Sequence, residues 1–420
     1  MIIGILGSGG REHAICSEII RSKKVKKIFC FPGNAGTDLI AENININLEN
    51  FEELKNFVIK NKIELLIIGP EKPLVDGIVD FFEDNNIKIF GPKKMPSQLE
   101  GSKIFTKKIC EKYKIPTAKF GIFSNVNEAK IYLEKVNFPL VVKADGLASG
   151  KGVYICENKN KAELAINEIF DGKFGFAKNI LLEEFLKGEE MSYFILSDGK
   201  TYKKFNTAQD HKRALEGDQG KNTGGMGAYS PSALINNDLD KKIINQIIEP
   251  TIKAINDMGS EYKGFLYAGL MIVNNNPFLI EYNVRMGDPE CQTILPRLKT
   301  DFIDIINSCA ERKLSSIKIE WKKEKSLCIV LCSKGYPDQF KNNEIINNLE
   351  KINLNNSEFI YHAGTKKVKD KVYSNGGRVL NFVVMSDSYK KSRTKAKKLI
   401  KELDWPNGTY REDIGYKVID

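Results

Sequence analysis

The first hundred residues constrain the fold most, because short apolar runs alternate there with stretches long enough for helices. Ile2–Leu6, Lys27–Phe31, Glu64–Ile68 and Lys88–Phe90 read as strands, with helices from about Gly10, near Phe51–Lys60 and near Leu74–Glu83. Strands separated by helices pair in parallel, and helices then cover both faces, so each strand can be apolar throughout. Residues 1–102 are therefore expected to form a doubly wound parallel α/β domain. Gly91-Pro92 and the polar stretch to Gly101 read as a linker out of it.

The loop Gly7-Ser8-Gly9-Gly10-Arg11 follows the first strand and opens a helix, which invites a dinucleotide reading. That reading needs a glycine where Glu12 stands and an acid after the second strand, where the chain has Phe31-Pro32. A dehydrogenase becomes a minor alternative on those two residues. The loop keeps backbone N–H groups at a helix start, a geometry that suits another phosphate. Gly33-Asn34-Ala35-Gly36 and Gly69-Pro70-Glu71 follow further strands and fall at the same carboxyl edge.

A second constraint lies at Leu140–Val153. The β-branched Val141 and Val142 lead into a loop carrying Lys143, Asp145, Gly146, Ser149, Gly150, Lys151 and Gly152, and Val153-Tyr154-Ile155-Cys156 leads out as a strand. This is a hairpin with a cationic glycine tip, where backbone N–H groups can approach a polyphosphate. It is not a Walker A loop, which requires four residues between its glycines and a helix after the lysine. Standing alone, its lesser alternative is a surface hairpin with solvated lysines. Ile180–Glu190, with Glu183, Glu184, Phe185 and Leu186, has the form of a strand running into a short irregular linker. In Phe278–Glu290, Ile280, Tyr282 and Val284 alternate with Glu281, Asn283 and Arg285, so period two puts the polar three on one strand face. A carboxylate and an amide oxygen two residues apart suit a hard cation.

At 420 residues the chain has room for roughly two to four domains. Its 42% hydrophobic and 28% charged fractions are those of a soluble protein, and no apolar run or amino-terminal leader pattern suggests membrane insertion or export. A cytoplasmic location is expected. Eight cysteines without a C-x-x-C pair suit a reducing compartment, and three scattered histidines argue against zinc. The net charge of +10 raises nucleic acid as a partner, but the lysines are dispersed without interleaved aromatics. Gln209–Pro231 is polar and glycine-dense and reads as one long loop, while residues 326–420 suggest a small α+β unit with strands at Leu327–Leu331, Phe359–His362 and Arg378–Met385 and a helix at Ser388–Leu403.

With these stretches in place the chain resembles the ATP-grasp ligases and, among them, the glycinamide ribonucleotide synthetases, over nearly its whole length. The pieces that carry the resemblance are Gly7 to Ala14, Pro32 to Thr37, Leu99-Glu-Gly-Ser-Lys103, Gln209-Asp210-His211-Lys212-Arg213, Asn222 to Pro231 and Arg285-Met-Gly-Asp288-Pro-Glu290. The resemblance implies an ATP-grasp body over 103–325 with a small mobile lid at about 119–190. It implies ATP-dependent joining of glycine to 5-phosphoribosylamine through a glycyl phosphate, giving glycinamide ribonucleotide, ADP and phosphate in de novo purine (IMP) biosynthesis, by a monomer using Mg2+ or Mn2+. On the same basis Lys103 and Lys143 reach the ATP phosphates and the tip Gly146, Ser149, Gly150, Lys151 and Gly152 closes over them. Glu183, Glu184, Phe185 and Leu186 hold adenine, Glu190 the ribose, and Glu281 with Asn283 the metal. Arg285 and Asp288 join Lys143 as catalytic candidates, and Asp210, Lys212 and Arg213 as substrate contacts. Gly9, Gly10 and Arg11 would take the 5-phosphate of the acceptor, with Asn34 and Glu71 nearby and Arg285 facing across. Many ATP-grasp enzymes carry another metal carboxylate on the preceding strand, but Gly264–Val273 has none, which leaves the number of ions open.

Two other classes compete. A biotin-dependent carboxylase subunit or a different purine-pathway ligase is opposed by Asp210-His-Lys-Arg213 and Thr223-Gly-Gly-Met226. A non-catalytic nucleotide-binding protein is opposed by Lys143, Glu281 and Asn283. His13 and His211 lie in the matching motifs, yet a lone histidine is more often scaffold, and neither is expected to be catalytic.

Overall fold

The computed structural model describes residues 1–147, 152–175 and 178–419. In the amino-terminal part β1 (Ile2–Gly7), β2 (Lys27–Pro32), β3 (Glu42–Asn43), β4 (Leu65–Ile68) and β5 (Ile89–Phe90) form a parallel sheet in the order β3-β2-β1-β4-β5. Alternate side chains feed two cores. Ile3, Ile5, Ile28, Cys30, Leu65 and Ile67 pack with Ala14, Ile15 and Ile19 of α1 (Gly10–Ile19). Phe29, Phe31, Leu66 and Ile68 pack on the other face with Leu54 and Val58 of α2 (Phe51–Lys60). Burial on both faces is what makes these strands apolar without alternation.

Two readings of this region change. The helix expected near Leu74–Glu83 is two, α3 (Glu71–Asp76) and α4 (Ile78–Asp84), broken at Gly77 with φ +99°. The expected linker 91–101 contains α5 (Lys94–Gly101), whose Pro96, Ser97 and Leu99 are buried. Pro92, Pro96 and Gly101 hid it, although proline is tolerated in a first helical turn. Ser102 then caps α6 (Lys103–Tyr113) by accepting the Phe105 N–H at 3.1 Å.

A four-stranded antiparallel sheet follows in the order β6 (Phe120–Phe123), β9 (Ile180–Glu184), β7 (Leu140–Ala144), β8 (Val153–Cys156). The helices α7 (Val126–Leu133) and α8 (Lys159–Phe170) cover one face and give this lid its own small core, including Leu140, Val142, Ile166 and Leu182. The larger sheet begins with β16 (Asn276–Asn283), β15 (Lys263–Val273), β10 (Glu189–Asp198), β11 (Tyr202–Asp210) and β14 (Gly227–Ser230). It continues through Lys325–Ser333, Arg378–Ser386 and Glu358–His362, so the carboxy-terminal segment extends the same sheet. The expected loop Gln209–Pro231 holds a hairpin of β12 (Arg213–Leu215) and β13 (Gln219–Asn222), and then β14; charge and glycine had masked strands too short to show a period. Among the described residues no helix is long and apolar enough to cross a membrane.

Candidate active site

Lys143 lies on the central lid strand and pairs with Leu181 across β9, where Glu183 pairs with Val141, so the two side chains meet on the diagonal. Lys143 Nζ approaches Glu183 Oε1 to 2.9 Å, and Lys107 Nζ comes within 3.3 Å of Oε2. All three are buried, so Glu183 is a counter-ion for two lysines, and its side chain is not available to an adenine edge. The Glu184 side chain accepts the Lys119 N–H at 3.0 Å, and Phe185 and Leu186 of the linker that follows line the cavity. Asp145 reaches the start of α6, taking the Ser102 hydroxyl at 3.1 Å and the Ile104 N–H at 3.2 Å. Lys103 Nζ donates to the Gly146 carbonyl at 2.8 Å. Burial, with Lys143 adding to it, lowers the Lys103 pKa. Ser149, Gly150 and Lys151 lie outside the described residues.

Opposite the lid, β16 presents Glu281 and Asn283 to a cavity of about 620 Å³. The strict alternation expected across Ile280 fails, because the pairing slips between Gly269 and Leu270. One bulged position lets Leu279 and Tyr282 both be buried while Ile280 between them stays half-buried. Lys212 Nζ stands 3.0 Å from Glu190 and 3.5 Å from Glu281. Burial works against its charge, but Glu190 and Glu281 outweigh it and hold the pKa well above the usual lysine value. Burial likewise opposes ionisation of Glu281, and Lys212, Lys143 and Lys103 overcome it. The ammonium thus stands in for a cation between two carboxylates. The oxygen donors Glu281 and Asn283 fit Mg2+ or Mn2+, which need only one or two protein ligands when phosphates complete the shell. No closed protein cage of three acidic, histidine or cysteine side chains exists among the described residues.

The same cavity runs on to Gly7, Ser8 and Gly9 of the amino-terminal loop. Two of that loop's N–H groups are already taken: Gly9 donates to Glu12 Oε2 at 2.6 Å and Arg11 to Asp288 Oδ2 at 3.2 Å. A Cβ on Gly9 would come within 2.8 Å of the Glu12 carboxylate and 3.3 Å of Asp288, so those carboxylates occupy space expected to be open to phosphate. Gly10 packs on Asn381 and Gln292 and is absent from the cavity wall. The Arg11 guanidinium is buried against Glu12 and the Met286 carbonyl. Asn34 is fully used: its amide donates to the carbonyls of Ser8 and His362, and its oxygen takes the N–H groups of Gly36 and Thr37. Arg213 points away from the cavity and donates to the Gly220 carbonyl at 2.6 Å. Asp288 accepts from Gln292 and lies 3.1 Å from Arg378, which also donates to the carbonyls of Gly224 and Asp288. Arg378 lines both this cavity and a neighbouring one of about 350 Å³. Nothing local in the sequence marks it beyond the preceding Gly376-Gly377.

Arg285 is clamped by Glu71 at 3.2 Å and Glu100 at 2.6 Å. Arg285 holds the Glu71 pKa down to about 2, whereas burial pushes Glu100 up to about 7 against the pull of that arginine. Glu71 therefore contributes stability above its ordinary pKa of 4.5, lost as pH falls toward 2. Glu100 acts in the opposite sense. The folded state holds its proton more tightly, so its contribution is complete below pH 4.5 and is lost as pH rises through 7, an effect of roughly 3 kcal/mol. Denaturation at pH 5 and pH 8 should show Glu100→Gln losing less stability than wild type across that window. Equal losses would remove Glu100 from the account.

His13 Nδ1 accepts the His362 N–H and His211 Nε2 that of Gly415, and burial lowers both pKa values, His211 to about 4. Both are neutral scaffold.

A small antiparallel lid over a cavity, carrying a buried lysine above a strand with a carboxylate and an amide, defines an ATP-grasp ligase. Comparison with known proteins narrows the class. Residues 1–100, 101–291 and 326–417 match the N, ATP-grasp (A) and C domains of phosphoribosylglycinamide synthetase. Phosphoribosylamine–glycine ligase of Caldanaerobacter subterraneus is 44% identical over 420 residues, covering 99% of each chain, and that of Brucella melitensis is 40% identical over 421, covering 100% of this chain and 99% of its own. The crystal structure of phosphoribosylamine–glycine ligase from Thermotoga maritima superimposes with a TM-score of 0.86 at 32% identity, covering 99% of this chain and 100% of that one. Biotin carboxylase from Campylobacter jejuni shares the fold at a TM-score of 0.71 and 16% identity, covering 97% of this chain and 92% of that one. The chain belongs to the phosphoribosylamine–glycine ligase family.

Proposed function

We infer that this chain carries out its family's reaction, the ATP-dependent joining of glycine to 5-phosphoribosylamine in purine biosynthesis. The carboxylate of glycine is a poor electrophile, and phosphorylation by ATP makes it a good one. The acceptor amine then attacks the glycyl phosphate, a C–N bond forms, and phosphate leaves with the C–O bonding pair while the amine proton passes to solvent. No protein nucleophile is needed, so catalysis is positioning and charge neutralisation. The observation that carries the reading is one continuous cavity from the linker at Glu184–Leu186 past Lys143 and Lys212 to the Gly7–Gly9 loop, able to bring both phosphate-bearing substrates together.

In this reading the backbone of Phe185 and Leu186 holds adenine, Glu190 the ribose, and Lys103 and Lys143 the phosphates, with Gly146 and Gly152 flanking them. Glu281 and Asn283 would hold Mg2+ or Mn2+, which spreads the charge of the transferred phosphoryl group. Arg285 and Lys212 face the reacting carboxylate, Asp288 with Arg378 fixes the amino-terminal loop against the body, and that loop with Glu71 borders the acceptor. The reading includes a monomer in the cytoplasm without nucleic-acid or membrane partners; all eight cysteines are free and buried, which suits a reducing compartment. ADP release with ATP, Mg2+ and glycine should depend on 5-phosphoribosylamine. Release that ignores both glycine and the amine would sink the assignment.

A further inference from the structure

We propose that the carboxy-terminal tail Arg411–Lys417 positions Lys212 for the reaction, with Arg411 as the central positioning residue; the inference rests on the ligase reading above. Where the chain leaves β11, its side chains divide. Asp210 and Lys212 line the cavity, whereas His211 between them is buried beside Tyr229 and Tyr416. The hairpin of β12 and β13 follows at once, and no residue from Arg213 to Gly224 is buried. A two-stranded hairpin without an apolar face does not hold its own shape in water. Lys212 Nζ nevertheless stands 3.0 Å from Glu190 and 3.5 Å from Glu281, so something outside the hairpin fixes the backbone that carries it.

The tail supplies that hold. Ile414 is its apolar anchor, fully buried against β14, where a Cβ on Gly227 would fall 2.9 Å from the isoleucine side chain. Polar groups reach the hairpin from both sides of this anchor. Arg411 is only 2% exposed; it donates Nε and one terminal nitrogen to Asp413 at 2.8 and 2.7 Å. Its other terminal nitrogen donates to the Arg213 carbonyl at 3.0 Å and to Asp218 at 2.9 Å. Asp413 in turn accepts the Gly217 N–H at 2.8 Å. Beyond Ile414, the Tyr416 hydroxyl donates to Asp218 at 3.0 Å, and Lys417 bridges Asp218 at 3.1 Å and Glu189 at 2.6 Å. Burial works against the Asp218 charge, but Arg411 and Lys417 outweigh it and hold its pKa down to about 2.

These contacts converge on one residue. The Gly415 N–H holds His211 at Nε2, 3.1 Å away, and Arg411 holds the Arg213 carbonyl, so the tail grips both chain neighbours of Lys212. A guanidinium fork closed on a carboxylate fixes direction as well as distance, which a single ammonium would not. The exit of the hairpin is tied separately, with the Gly224 N–H on the Tyr336 hydroxyl and the Gly224 carbonyl on Arg378. Loss of the tail contacts therefore frees the entry, where Lys212 sits, and leaves the exit in place.

Kinetics and hydrogen exchange on the full chain test this. Arg411→Met should cut kcat about 10- to 100-fold, the effect of misplacing a reacting group by about an ångström, while the KM for 5-phosphoribosylamine moves less than about threefold. In a Lys212→Met background the same substitution should cost less than about threefold more, because the group it acts through is gone. A larger further loss would overturn the proposal, as would a defect confined to the KM for 5-phosphoribosylamine. Exchange reads the grip without reference to any reaction: peptides covering residues 211–223 should exchange about tenfold or more faster in Arg411→Met, with those of β1 and β16 unchanged. Unaltered exchange at 211–223 would overturn the proposal, and faster exchange throughout would overturn it in favour of general packing. Should Arg411→Met not fold, Tyr416→Phe combined with Lys417→Met removes three contacts at the exposed end of the tail and keeps Arg411. That variant should show the same pattern at about 3- to 10-fold, and wild-type values in both measurements would overturn the proposal. A wild-type chain that forms no glycinamide ribonucleotide, while the variants loosen 211–223, would overturn the ligase reading and leave the grip of the tail standing.

Discussion

Lys143→Ala is expected to cut ligation by about 10²- to 10³-fold, the usual effect of removing one fixed group that stabilises transition-state charge in a dry site. Lys143 is buried on the central lid strand, so no solvent cation takes its place at the same position. The fold should survive, because Glu183 keeps Lys107 at 3.3 Å and is not left without a counter-ion. The loss should fall on kcat more than on the ATP KM, since under the proposed function adenine and ribose are held elsewhere. Activity within about threefold of wild type in a folded protein would place Lys143 outside the reacting groups.

Arg285→Met should act on stability as well as turnover, lowering the unfolding free energy by about 3–5 kcal/mol at pH 8, the range seen when one partner of a buried pair is removed. Two carboxylates, Glu71 and Glu100, would be left facing one another without their arginine. For Arg285 an ion pair with neighbouring acids is the alternative to a substrate contact. The structure shows that ion pair, doubled, and still leaves Arg285 in the cavity wall. Both roles predict a defect, and pH separates them. Acidification toward pH 5 protonates the orphaned carboxylates, so urea denaturation should show the stability deficit shrinking while ligation stays impaired. A deficit that is the same at pH 5 and pH 8 would mean the carboxylates find another partner.

What could be read in the sequence was set by how local each cause is. The parallel sheet was legible because its strands alternate with helices, and the lid hairpin because Val141-Val142 and Val153 to Cys156 bracket a glycine tip. Glu281 and Asn283 were legible as one face of a strand. The bulge at Ile280 was not, since it depends on the partner strand. Arg378 was invisible for a related reason: it reaches Asp288 from a strand 90 residues further on, and no motif surrounds it. Glu183 was legible on its strand but not as the counter-ion of Lys107 and Lys143, because periodicity says which way a side chain points and not which lysines wait there. Glu100 stood inside a stretch that carried the family resemblance, and the burial that makes it matter appears only once the chain is folded.

The continuity of the large sheet has a consequence for how the chain can be cut and how it is made. β14 is covered on one side by β11 and on the other by Lys325–Ser333, a strand that leaves the ribosome nearly a hundred residues later. Until then its backbone donors and acceptors form an open edge, the kind of surface that recruits foreign strands. A fragment ending near residue 325 contains the whole lid and its lysines, yet it would carry that edge permanently. Strand complementation by a separately supplied carboxy-terminal piece, rather than a freestanding catalytic fragment, is the form in which a split version of this chain could work.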